Sequence, residues 1–138
     1  MRILFDSSAL LKRYLPEAGR DAVLAWVHKA DAIVAAPHTK LELHSALARL
    51  QREALFSADS LQGTGEEIER SFADVEVLPF TPQLERAAVR ALYAAPVRAM
   101  DALHVGAAWL ARADMFVTAD RRQAAAARAL GLPTELLE

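Results

Sequence analysis

Four carboxylates in this 138-residue sequence, Asp6, Glu42, Asp101 and Asp120, have positions that could support chemistry. Each lies near the start of a helical pattern that follows a strand or a turn. Singly, each has an ordinary account, because an acid at a helix start accepts hydrogen bonds from the first free amides. Thr39 precedes Glu42 by three residues and Gln123 follows Asp120 by three, and both are capping-box spacings. Asp101 opens an apolar helical segment, with His104 three residues on and on the same side. Jointly they imply more. Carboxylates that converge repel by about 1 to 4 kcal/mol per close pair. A hard divalent cation removes that penalty, and an all-oxygen set selects Mg2+ or Mn2+ over zinc. Such an ion suits phosphate chemistry, since it acidifies water and stabilises a leaving oxygen. His28, His38 and His44 show no zinc-ligand spacing, and His104 reads as a hydrogen-bonded, half-buried structural histidine.

The elements that must carry these acids are legible from periodicity. Residues 2–5 form a short apolar strand ending in Asp6, and Ala9 to Tyr14 a first helix closed by Pro16. A second helix is predicted over about 17–30, a second strand over 32–35 and a third helix from 38 to about 56. Residues 57–65, with Gly63-Thr64-Gly65, are the weakest-patterned stretch and predict a helix–loop junction before a helix over 66–72. A strand over 75–79 leads to Thr81-Pro82, a helix start with proline at its first position. Helices over 99–112 and 120–130, a strand over 115–118 and a short final strand within 133–137 complete the chain. Strands alternating with helices predict a mostly parallel sheet covered on both faces, a three-layer α/β/α domain over residues 1–138. Open parallel sheets bind ligands beyond the carboxyl ends of their strands, where Asp6 and Asp120 fall.

Composition excludes several classes. Sixteen Lys and Arg against eighteen Asp and Glu give a net charge of -2, which is not that of a basic nucleic-acid tail. With no cysteine there is neither a disulfide framework nor a thiol nucleophile. The five glycines form neither a P-loop nor a G-x-G-x-x-G fingerprint. A phosphorylated receiver domain would need a lysine late in the chain, and none follows Lys40. No apolar run approaches the ~18 residues of a membrane span, and Asp6 interrupts any signal-like stretch, so a cytoplasmic protein is expected.

Four segments, in order, carry a family resemblance. Asp6-Ser7-Ser8-Ala9-Leu10-Leu11-Lys12-Arg13-Tyr14-Leu15-Pro16-Glu17 resembles the opening of PIN-domain ribonucleases, specifically toxins of the VapC type. Glu42-Leu43-His44-Ser45-Ala46-Leu47-Ala48-Arg49 resembles their second acidic motif. Arg98-Ala99-Met100-Asp101-Ala102-Leu103-His104 resembles the third, and Phe116-Val117-Thr118-Ala119-Asp120 the fourth. The resemblance spans essentially the whole chain.

It implies a metal-dependent endoribonuclease in which Asp6 and Asp101 are the principal Mg2+ or Mn2+ ligands, while Glu42 and Asp120 hold a second ion or orient water. Ser7 and Thr118 match small hydroxyl positions that hydrogen-bond the carboxylates or bound water. Metal-activated water would cut the RNA phosphodiester, leaving a 5′-phosphate. Arg13, Arg98, Arg121 and Arg122 adjoin these positions and are the candidate phosphate contacts. The resemblance further implies a homodimer inhibited by a small cognate antitoxin, with DNA bound only through that antitoxin. Leu11, Tyr14, Leu15 and Trp26 are candidate partner-facing residues or ordinary core, and Leu41 is expected to narrow the site. The alternative is a catalytically silent PIN-type scaffold that binds RNA or protein.

Overall fold

The computed structural model describes residues 1–138. In chain order the elements are β1 (Arg2–Phe5), α1 (Ser7–Tyr14), α2 (Arg20–Lys29), β2 (Ala32–Ala35), α3 (Thr39–Arg52) and α4 (Ala58–Ser71). A 3-10 turn (Phe72–Asp74) leads into β3 (Val75–Val77), α5 (Pro82–Ala94), α6 (Ala99–Leu110), β4 (Met115–Thr118), α7 (Arg121–Ala129) and β5 (Thr134–Leu136). The sheet order is β3-β2-β1-β4-β5 and all four pairings are parallel. None of the helices is long and apolar enough to cross a membrane.

Strand alternation divides the core between two layers. Ile3, Phe5, Ala35 and Val117 pack under α1 to α4 with Leu10, Leu43 and Ile68. Leu4, Val34 and Phe116 face the other way, against Leu84, Ala102 and Val105 of α5 and α6. The chain winds outward from β1 to β3 and then crosses back to β4, so the switch point lies between β1 and β4. Crevices for ligands form at such points, beyond the strand carboxyl ends.

Three sequence expectations change. The stretch over 57–65 is helical, because α4 runs unbroken through Gly63 and Gly65. Ser57 caps it by accepting from the Ser60 amide at 3.1 Å, and buried Leu61 and Ile68 anchor it. Cap and burial together outweigh the roughly 1 kcal/mol that each glycine costs a helix. Helix α3 ends at Arg52 rather than near Phe56, where Ala54 turns left-handed (φ 54°) and the Leu55 amide closes on the Leu50 carbonyl. Helix α2 starts at Arg20, behind Gly19 in a left-handed conformation (φ 95°). Tyr14 and Leu15 are buried core, whereas Leu11 and Trp26 pack against the same core and stay partly exposed.

Candidate active site

The strand ends place the acids. Asp6 follows β1, caps α1 by accepting from the Ala9 amide at 2.9 Å, and is completely buried. Its Oδ1 also accepts from Ser8 Oγ at 2.7 Å, and its Oδ2 accepts from the Thr118 hydroxyl at the end of β4. Thr118 Oγ1 in turn accepts from the Asp120 amide at 2.9 Å, and Ser8 Oγ from the Ala119 amide at 3.0 Å. Side chains thereby join β1 to β4 where the switch point opens. Ser8 is a partner that the sequence reading missed, although it stands two residues from Asp6.

Asp120 caps α7 through the Arg122 and Gln123 amides, both on Oδ1 at 2.8 and 3.3 Å. The reciprocal half of a capping box does not form. Gln123 instead sends its Nε2–H to Asp101 Oδ1 at 3.2 Å, holding an acid 22 positions away. Nor does Thr39 cap α3: the N-cap is His38, one residue earlier, and Thr39 is the buried first residue of the helix. Glu42 is released from the cap and points inward. Its Oε1 accepts from Ser7 Oγ at 2.8 Å and from His104 Nε2 at 2.6 Å.

Glu42, Asp101 and Asp120 line one cavity of about 470 Å3, together with Ser7, Ser8, Lys12, Ser45, Arg49 and Gln123. Asp6 is not on its wall; it is held by Ser8, which is. Glu42 Oε2, Asp101 Oδ2 and Asp120 Oδ2 accept no hydrogen bond within the chain. Three uncommitted carboxylate oxygens border one polar cavity without closing to within 4.8 Å of one another, so a hard divalent cation held there would keep several waters in its shell. The ligand atoms that do lie within 4.8 Å of one another are those of His38, Glu42 and His104. That group is a hydrogen-bonded cluster rather than an ion site. Both Nε2 atoms are engaged as donors, that of His104 on Glu42 and that of His38 on the Met100 carbonyl, so neither has a lone pair free for an ion, and the two rings lie 4.2 Å apart.

Of the arginines named as phosphate contacts, Arg13, Arg98, Arg121 and Arg122, none lines this cavity. Arg13 lies over the ring of Tyr14, Arg121 pairs with Glu138 at 3.2 Å, and Arg98 and Arg122 are exposed. The cavity's cations are Lys12 and Arg49, and helical spacing could have found them, four residues after Ser8 and seven after Glu42. Leu41 does not narrow the site, being 73% exposed and outside the cavity wall. His104 is wholly buried rather than half-buried.

Burial pushes the Asp6 carboxyl above its ordinary range, against the opposing pull of His104, Thr118, Ala9 and Ser8. Half-burial also works to raise Glu42, but His104, Ser7 and His38 outweigh it and hold that carboxyl below its ordinary value. The Asp6 shift has a measurable consequence. Above about pH 4 the unfolded chain releases the Asp6 proton while the folded chain retains it up to the raised value. Stability therefore falls as pH rises through that window, and the loss persists above it. In EDTA, Asp6→Asn is expected to melt above wild type at pH 8, with the gap closing near pH 4. Equal melting curves at pH 8 would show that burying this carboxylate costs nothing.

The sequence matches the PIN domain family over residues 3–129. A search of curated protein sequences finds no match. Among solved structures, FitAcB from Neisseria gonorrhoeae is 17% identical with a TM-score of 0.75, covering 96% of this chain and 95% of that one. VapBC2 from Rickettsia felis, bound to a promoter DNA fragment, is 12% identical with a TM-score of 0.70 over 100% of both chains. VapC20 from Mycobacterium tuberculosis, described as a sarcin-ricin loop cleaving toxin, is 19% identical with a TM-score of 0.66, covering 90% and 94%. The parallel sheet, the acids at its switch point and a family match over nearly the whole length agree: this chain belongs to the PIN domain family.

Proposed function

We propose that this protein is a metal-dependent endoribonuclease, the toxin of a toxin–antitoxin pair, acting in the cytoplasm on RNA. One observation carries the reading. Carboxylates from both layers, Glu42 of α3 and Asp101 of α6, line one cavity with Asp120 at the switch point, and each has an oxygen with no protein partner. Asp101, Glu42 and Asp120 would hold Mg2+ or Mn2+; Asp6, expected from the resemblance as a principal ligand, has its oxygens taken by Ser8, Ala9 and Thr118 and would instead fix the floor between β1 and β4. A divalent ion there supplies a more acidic water and neutralises charge on a phosphodiester. Arg49, in the same wall, and Lys12, once released from the Ala18 carbonyl and Glu17, bind the flanking phosphates of the strand. Binding through them weakens with added salt.

The resemblance to VapC-type sequences and the similarity to VapC20 and VapBC2 support the toxin assignment. A cognate antitoxin then restrains the enzyme and accounts for any DNA binding. A homodimer is supported by an apolar groove of α5 and α6 lined by Phe80, Val89, Leu92 and Met100, all of them exposed. We assign that groove to a second copy of the chain, and light scattering of the purified protein should return twice the chain mass.

The test is incubation of total cellular RNA with the antitoxin-free chain in Mg2+, in Mn2+ and in EDTA. Discrete fragments with 5′-phosphate ends are expected only with metal. RNA that is bound but left intact, across a broad RNA set and with both ions, would replace this reading with the non-cutting PIN scaffold.

A further inference from the structure

The two layers of this fold pack on opposite sides of the sheet, with Glu42 on α3 in one and Asp101 on α6 in the other. Two side chains, His38 and His104, link these layers directly across the edge of the sheet. His38, at the N-cap of α3, donates its Nε2–H to the Met100 carbonyl at 2.8 Å, one residue before Asp101. His104, one turn after Asp101 on α6, donates in the opposite sense to Glu42 Oε1 at 2.6 Å. The rings stack at 4.2 Å, and each leaves its Nδ1 buried without a partner. Each ring thus makes a single hydrogen bond, and in both cases that bond crosses between the layers.

The bond to Glu42 is also selective between its oxygens. Ser7 and His104 both donate to Oε1, and His38 Nε2 lies 3.4 Å from the same atom. Oε2 accepts nothing from the chain. A carboxylate on a three-bond side chain ordinarily samples several rotamers. Here two donors on one oxygen fix the rotamer and turn the other oxygen outward.

We infer that His104, supported by the stacked His38, is a positioning residue that locks Glu42 by Oε1 so that Oε2 faces the cavity as a one-oxygen cation ligand, and that the histidine pair sets the Glu42–Asp101 separation. The inference rests on the proposed metal-dependent function. Outer-shell partners of ligating groups change metal affinity by about 10- to 100-fold when lost.

The test measures Mn2+ affinity of the intact chain by electron paramagnetic resonance, with no RNA present, alongside thermal melting in EDTA. His104→Leu should weaken Mn2+ binding by about 10-fold or more. His104→Gln, whose amide can replace the Nε2–H donor, should restore most of the affinity. In a Glu42→Gln background, His104→Leu should cause no further loss, because the two positions then act through one contact. Ser7→Ala removes the other donor with little packing change, so it tests the same lock should His104→Leu fail to fold. An equal loss from His104→Leu with and without Glu42→Gln, or undiminished Mn2+ affinity in both His104→Leu and Ser7→Ala, overturns the positioning role. Wild-type protein whose Mn2+ binding is unaffected by Asp101→Asn overturns instead the function on which the inference rests.

Discussion

Asp101→Asn is expected to lower metal-dependent RNA cleavage by more than about 100-fold, beyond the usual cost of losing an outer-shell partner. It is also expected to leave the fold intact, for a geometric reason. Asp101 Oδ1 accepts only the Gln123 Nε2–H, and an asparagine oxygen accepts it equally well. The residue is half-buried on the cavity wall, so the isosteric change opens no void. What is lost is a negative charge and the uncommitted Oδ2, replaced by an amide N–H that repels a cation. Stability in EDTA should stay within about 0.5 kcal/mol of wild type. Initial rates on a defined RNA, with melting curves beside them, check both halves. Cleavage within about threefold of wild type, from chains prepared identically, would remove Asp101 from the reacting centre.

The largest effect on stability is expected away from the acids, at Gly106→Ala. A Cβ at this position would lie 2.6 Å from the Ala88 backbone nitrogen and 2.9 Å from both the Ala87 carbonyl carbon and the Ala88 Cα. These are main-chain atoms, which cannot move aside as a side chain can. Helices α5 and α6 would have to separate, loosening Ala88, Ala91, Ala102 and Ala107, which are packed with small side chains throughout. Overpacking typically costs about 1 to 3 kcal/mol, and a clash with rigid backbone belongs at or above the top of that range. The helix-propensity gain of alanine over glycine, about 1 kcal/mol, does not offset it. Denaturant unfolding measures the difference, and an unchanged midpoint would show that the helix pair can yield. The same displacement would move the start of α6, so the folded fraction of this variant should also lose cleavage.

Much of this was legible along the chain. The strands over 2–5, 32–35 and 115–118 are short apolar runs whose residues face both layers, and the structure places them at those positions. Thr81-Pro82 marked a helix start because proline fits the first turn and threonine caps it, and Thr81 does accept from the Leu84 amide. The Gly63-Thr64-Gly65 stretch misled, since local propensity spoke against a helix that burial of Leu61 and Ile68 imposes.

The acids mark the division most clearly. By itself the sequence determined their type, their order and their nearness to strand ends, and from these followed the α/β class, the family resemblance and the preference for a hard cation. It left each acid with two accounts, because Thr39-x-x-Glu42 and Asp120-x-x-Gln123 share one spacing and a helix start cannot be placed to a residue from local pattern. Tertiary structure decided between them. With His38 rather than Thr39 as the N-cap of α3, Glu42 turns toward His104, 62 positions away, while Asp120 keeps its cap and its Gln123 reaches Asp101. It also moved the cavity's positive charge from Arg13, Arg98, Arg121 and Arg122 to Lys12 and Arg49. Spacing within a segment fixes which side chains share a face. Which faces meet across the sheet depends on strand order and on contacts between distant segments, and these exist only in the folded chain.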